Sequence, residues 1–317
     1  MLFQPRQTNV LEPTIFHEPW WLDAVTGGRW TAVEVSHGGS AVGRLPYILR
    51  TVLGVRLGDM PPLTHFLGPA IDDGNGKPNT RLLRHIDITR ELIGKLPPMQ
   101  QFYAKCHKGV SEVIGFQAAK FHAAVQFTHE IAPQPIESVW NDMRDKSRNG
   151  IRLAADICTI DTALEPAAFL AFYAANLEAR SRTNYLDMTA LLRVLTACLD
   201  SNRGRILAAR DKGGVLLAAV VVIWDTTTCY YYNATRKLDA HRGAVALLQW
   251  EAISDAMSRG LHFDFDGAPN EGSFRMATNF SANVTPRYIV TRQSLPVRLY
   301  RALKSAFVQP DYFVDSD

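Results

Sequence analysis

Between Tyr230 and Gly267 the sequence reads YYYNATRKLDAHRGAVALLQWEAISDAMSRGLHFDFDG, and no other stretch restricts the fold as strongly. Tyr230-Tyr231-Tyr232 continues a β-branched and aromatic run begun at Val220, the composition of a strand. A polar loop from Asn233 to Arg242 follows and ends in Arg242-Gly243-Ala244. From there Ala246, Trp250, Ile253 and Met257 recur at i, i+4, i+7 and i+11, one face of a helix. Gly260 stands where a helix cap belongs, and Leu261 to Asp266 alternates as a half-buried strand does. The order is strand, basic glycine-containing loop, helix, strand.

That loop has a chemical use. The first N–H groups of a helix lack intrahelical partners, and the helix dipole adds partial positive charge there. Small residues such as Gly243 or Ala244 would let a phosphate approach the amides through Val245, with Arg236, Lys237 and Arg242 adding charge. The competing reading is an ordinary strand-to-helix turn with solvated basic residues, since short glycine motifs recur widely.

The chain has 317 residues, enough for two domains of ordinary size, and a hydrophobic fraction of 47% fits a globular protein. A net charge of +3 is too mild to make DNA or any nucleic acid the main partner. The N-terminus shows no charged segment leading into an apolar one, and no apolar run reaches membrane-spanning length, so a cytoplasmic protein is expected. Cys106, Cys158, Cys198 and Cys229 are scattered without ligand spacing, which favours reduced, buried thiols and no structural metal.

Taken in order, residues 18–26 predict a short helix, and TAVEVSH, AVGRLPYILRTVLGVRLG and PPLTHFLGPAI predict an antiparallel meander. Residues 82–96 and 99–107 read as helices and 121–128 as a strand. The punctuation APQPI at 132–136 places a domain boundary there, giving domains 1–134 and 135–317. In ESVWNDMRDKSRNGIRLAAD, Trp140, Met143, Ser147, Ile151 and Ala154 form one helical stripe, with Arg144, Arg148 and Arg152 recurring beside it and Lys146 flanking. Such a row of cations either faces an anion or is solvated. Two helices (166–180 and 187–199) and two strands lead into the tyrosine strand, the third of an antiparallel set, so the fold class is α+β. Asp264 and Asp266 share a strand face, which suits a general base, while the bland reading makes one a turn cap and the other solvated. After a short helix at 270–282 carrying Arg275 and a last strand, Leu295, Leu299, Leu303 and Phe307 predict a terminal helix that docks or touches a membrane surface.

Four stretches in this order resemble the FemABX-like branch of the GNAT acyltransferases. FHEPWWLDAV resembles the family's opening helix, and LPYILRTVLGVRLGDMPPLTHFLGPAI its first meander. SVWNDMRDKSRNGIRLAAD resembles its tryptophan-and-basic helix, and the stretch from Tyr230 to Ala268 its tyrosine strand, helix and acidic strand. The resemblance implies two tandem GNAT-like domains, each a mixed, mostly antiparallel sheet flanked by helices. There is one departure: FRMATNFSA has Met276 and Ala277 where the family usually shows phenylalanine and lysine, and Ser281 for a glycine. The missing lysine tells against a peptidoglycan-precursor acceptor unless Arg275 substitutes.

The implied reaction is acyl transfer from a thioester, acyl-CoA, to an amine of a lipid- or nucleotide-linked sugar of the cell envelope or a polysaccharide precursor, with the protein at the inner face of the membrane. The donor pyrophosphate would rest on the amides from Arg242 to Val245, with Arg236 adding charge. Its arm would pair with the strand edge at Tyr232 and Asn233. Asp264 is the expected base, with Glu271 the alternative. Lys146, Arg148, Arg152, Asp266 and Arg275 would meet the acceptor in a cleft between the halves. An aminoacyl-tRNA donor is the rival, disfavoured because no long helical-hairpin insertion is present, and a non-catalytic anion-binding scaffold is a third reading.

Overall fold

Gly38 and Gly39 hold φ values of 60° and 83°, the left-handed region where a Cβ is costly, and so let the chain reverse within two residues. The turn joins β1 (Thr31–His37) to β2 (Ser40–Val52), and a second tight reversal leads to β3 (Val55–Asp59). The predicted meander is present. The computed structural model describes residues 9–266 and 271–299, the side chains of 271–273 excepted. They form two compact units, one from the described residues up to Phe127 and from Pro286 onward, the other Thr128–Thr285.

In the first unit, α1 (Pro19–Thr26) carries proline in its first turn, as the sequence predicts. After β3 come β4 (Ala70–Ile71), α2 (Pro78–Gly94), β5 (Gln101–Lys105) and α3 (Ile114–Ala118), and β6 (His122–Ile131) follows. Residues 99–107, read as a helix, contain the strand β5 instead. It is hydrogen-bonded on both edges, and Phe102, Ala104 and Cys106 alternate into the core. Only the end of PPLTHFLGPAI is strand, as β4.

The second unit holds α4 (Ile136–Asp142), α5 (Asp145–Ile157), β7 (Cys158–Asp161), α6 (Pro166–Glu178), α7 (Met188–Asp200), β8 (Gly204–Asp211), β9 (Leu216–Trp224), β10 (Thr228–Arg236), α8 (Gly243–Ser258), β11 (His262–Asp264) and α9 (Glu271–Asn279). The final strand is β12 (Asn283–Gln293). The basic segment read as one helix is two, because Met143 is extended at φ −67° and ψ 149°. Asp187 caps α7 through a side-chain bond to the Ala190 amide at 2.9 Å. The predicted terminal helix lies outside the described residues from Tyr300 on.

Sheet order is β1-β2-β3-β5-β12 in the first unit and β6-β11-β10-β9-β8-β7 in the second. The pairs β3–β5 and β10–β11 are parallel, and the other assigned pairs among these strands run antiparallel. The fold is thus α+β with mixed, mostly antiparallel sheets. β9 has no exposed face: Ala218, Val220, Val222 and Trp224 join the cluster that includes Leu248, Ala252 and Ile253 of α8, while Ala219, Val221 and Ile223 are buried as well. Each such valine contributes roughly 1.5–3 kcal/mol on burial, so this strand and α8 form the rigid base of the site.

Candidate active site

The sheet of the second unit opens where β10 and β11 part. Their ladder pairs Thr228 with His262, Cys229 with Phe263 and Tyr230 with Asp264, then stops. β10 runs on to Arg236, held on its other edge by β9. Phe265 goes the other way, its amide donating to the His129 carbonyl on β6 at 2.9 Å. A bulge at Tyr232 shifts the β9–β10 register, from Tyr231 opposite Val222 to Asn233 opposite Val221, and bends the strand further. Tyr231 to Arg236 therefore lie beyond the reach of the β11 ladder.

Asp264 stands at the apex of this opening. It is fully buried, and its Oδ1 accepts from Thr128 Oγ1 at 2.6 Å and from the Asp266 amide at 2.7 Å. Asp266 takes a φ of 57° to make that second bond. Glu130, also buried, lies directly across the β6–β11 ladder from Asp264. Burial, with the nearby charge of Asp266, holds the Tyr232 hydroxyl well above its ordinary pKa, so it stays a neutral phenol. Sequence reading could not have found Thr128, because its partner is 136 residues away.

The start of α8 is only partly open. The Gly243 amide donates to His241 Nδ1 at 3.1 Å, and the Ala244 amide to the His241 carbonyl at 3.1 Å. Val245 and Ala246 follow in the same turn. Glycine at 243 answers first to packing: an added Cβ would stand 2.5 Å from the Gly150 carbonyl oxygen, so α5 and α8 cross backbone to backbone there. Ala244 is buried within the core.

Beside that crossing is a concavity of about 680 Å³, lined by α5, the start of α8 and α9. Arg144 and Lys146 come to it from the first helix, Arg242 from the second and Arg275 from the third. Gly150, Gly243 and Ala246 add small surface, and Phe274, Met276 and Phe280 add apolar wall. No acidic residue is among the described lining. The structure thus brings Lys146, Arg242, Gly243 and Arg275 into one place. Arg144 was not singled out as a site residue; the break at Met143 makes it the residue preceding α5 and gives it this position.

Arg148 and Arg152 do not line this concavity. Arg148 donates to the Trp140 and Asn141 carbonyls at 3.1 and 2.8 Å and pairs with Asp145, so it closes the end of α4. The Arg152 guanidinium lies 5.2 Å from the Trp140 ring centre, and Trp140 packs on Trp250 at 4.7 Å. Four-residue spacing marked them as neighbours of Arg144, but the helix break sends the three to different tasks. The side chain of Glu271 lies outside the described residues. Among the described residues no group of three or more potential metal ligands occurs, and no helix is long and apolar enough to cross a membrane. All four cysteines are free and buried.

Residues 139–273 match the model of the acetyltransferase (GNAT) domain. FemX superimposes with a TM-score of 0.65 at 12% identity, covering 90% of this chain and 93% of that one. The C-terminal domain of a putative lysylphosphatidylglycerol synthetase from Agrobacterium fabrum gives 0.57 at 14%, covering 94% and 95%. L-PGS from Bacillus licheniformis gives 0.53 at 12%, covering 90% of each chain. No curated protein matches the sequence. Residues 139–273 are thus a GNAT-type acyltransferase domain, carried in a chain that shares the fold of FemX.

Proposed function

We propose that the protein is an N-acyltransferase that moves an acyl group from acyl-CoA to an amine of a cell-envelope or polysaccharide precursor. The observation that carries this reading is the concavity at the α5–α8 crossing, where cations from three helices gather with no acid among the described lining. A pyrophosphate neutralises such a group, and the Val245 amide adds a donor at the dipole's positive end. From there the donor arm runs along the β10 edge that β11 leaves open, pairing as an added strand through Tyr232 and Asn233.

The neutral acceptor amine attacks the thioester carbonyl, and a backbone N–H of β10 beyond Tyr230 stabilises the oxyanion. Asp264 takes the amine proton through water, because its side chain is fully buried. Collapse of the tetrahedral intermediate breaks the C–S bond, and the departing thiolate takes, through water, the proton that Asp264 received. Asp266, whose charge acts on the Tyr232 hydroxyl, borders the acceptor's path with it.

Calorimetry with CoA tests the donor. The double variant Arg242→Ser/Lys146→Ala is expected to bind about a hundredfold more weakly than the parent protein. Asp264→Asn is expected to lower turnover by about 10²–10³ with CoA affinity kept. Labelled acyl-CoA and aminoacyl-tRNA offered side by side decide the donor class: transfer from charged tRNA alone ends the proposal, and no heat with CoA favours the scaffold reading.

A further inference from the structure

Next to the concavity stands a second group of cations, of which the reaction scheme above uses only Arg242. Arg180 follows α6, Arg236 ends β10 and Arg242 precedes α8. Arg180 is held by two carbonyls, donating to Asn176 O at 3.0 Å and to Arg236 O at 2.6 Å. The Arg236 guanidinium is itself fixed on the Ala240 carbonyl. Burial, then the charges of Arg180 and Arg242, push Arg236 below its ordinary pKa, and the Arg180 guanidinium is held on the Arg236 backbone itself. The opposing acid is Asp239, which Lys237 also engages at 3.2 Å.

The fold does not require this crowding. The carbonyls that Arg180 and Arg236 cap would accept equally from a neutral amide. Holding Arg236 beside two other cations is costly in the free protein, and a bound anion turns that cost into affinity. Arg242 belongs to both groups, since it also lines the concavity. A ligand with one phosphate group in the concavity can therefore present a second one to Arg180 and Arg236 across the same side chain.

We infer that the cluster of Arg180, Arg236 and Arg242 is a second anion subsite, and that it takes the ribose 3′-phosphate of a coenzyme A donor. The inference rests on the donor reading proposed above and extends it to a part of the ligand that plays no role in the chemistry. The 3′-group is a phosphomonoester with close to two negative charges at neutral pH, and it shares its ribose with the 5′-pyrophosphate. Two anionic groups on one ring match two cation groups that share one arginine.

Titration calorimetry of the full chain with CoA and with 3′-dephospho-CoA tests the inference. The parent protein is expected to bind CoA at least about tenfold more tightly than the dephospho form. Arg180→Gln is expected to bring that ratio close to one, with affinity for 3′-dephospho-CoA kept within about twofold. Arg236→Gln, expected to lower the same ratio, serves as the second variant should the first fail to fold. Equal affinity of the parent protein for both ligands overturns the inference, as does an equal loss for both ligands in the variants. If neither ligand binds the parent protein, the donor reading itself falls, and the two failures are told apart.

Discussion

Each unit of the molecule contains one parallel strand pair bridged by a helix, β3–α2–β5 in the first and β10–α8–β11 in the second, and the two finish differently. In the first the strand ends are filled. A Cβ on Gly58 would stand 2.5 Å from Met99 Sδ, the Lys105 amide donates to Met60 Sδ at 3.1 Å, and the Gln101 amide group donates to Asp59 Oδ1 at 2.9 Å. Its cations are matched to acids: Arg50 pairs with Asp59, and Arg81 with Asp73 at 3.0 Å before α2. In the second the ladder stops at Tyr230 and Asp264, and Arg144, Lys146 and Arg242 have no ion-pair partner among the described residues. One supersecondary plan thus has its ends plugged and neutralised in one unit and left open and charged in the other.

The largest test of this contrast is acid. The first unit buries two imidazoles, His17 and His107, with rings 5.0 Å apart. His107 Nε2 donates to the Pro69 carbonyl at 3.1 Å and Nδ1 accepts from the Gly109 amide at 3.2 Å, a neutral tautomer fixed on both sides. Burial lowers its pKa to about 4, with Arg287, His85 and Lys108 pushing the same way. His17 is lowered well below its ordinary value by burial, then by His107 and Arg44. The unfolded chain takes up these protons first, near pH 6.5. Stability is therefore full above that value and is lost as pH falls towards 4, by on the order of 3 kcal/mol for His107 alone. Urea unfolding followed from pH 7 to 4.5 is expected to show this loss, and His107→Gln to flatten it. A curve as steep in the variant as in the parent protein would assign the acid sensitivity elsewhere.

Next comes the crossing of α5 and α8. Gly243→Val is expected to cost about 2–3 kcal/mol in urea unfolding, because its Cβ meets a backbone oxygen at 2.5 Å and the helices must separate. Gly94→Ala, at the end of α2 where an added Cβ meets nothing within 4 Å, is expected to gain about 0.5 kcal/mol. Equal effects at the two sites would show that α8 is no more tightly packed at its start than α2 is at its end.

Local signals carried most of this architecture. Alternation gave the meander and the tyrosine strand, and the strand–loop–helix–strand order around Arg242 is present as read. What escaped depended on partners distant in sequence. Residues 99–107 have helical composition, yet Phe102 and Ala104 are buried between two strands, and tertiary pairing overrides propensity there. Thr128 meets Asp264, and Gly243 meets Gly150, through contacts no local pattern encodes. Gly243 shows the same limit: a glycine that admits a ligand and one that admits another helix look alike in sequence.

The smallest effect is also the sharpest test of how the basic helix divides its labour. Arg152 rests on Trp140 at 5.2 Å and does not line the concavity, so its charge serves the packing of α4 on α8. Arg152→Met keeps an apolar stem of similar length and removes the cation–π contact. Thermal unfolding is expected to report a loss of about 0.5–1 kcal/mol, with CoA affinity unchanged. Arg148→Ala is expected to behave alike, since its donors go to the end of α4. A fall in CoA affinity in either variant would move that arginine to the ligand. The row of cations at four-residue spacing would then act as one face, and the break at Met143 would be a detail of backbone geometry without functional consequence.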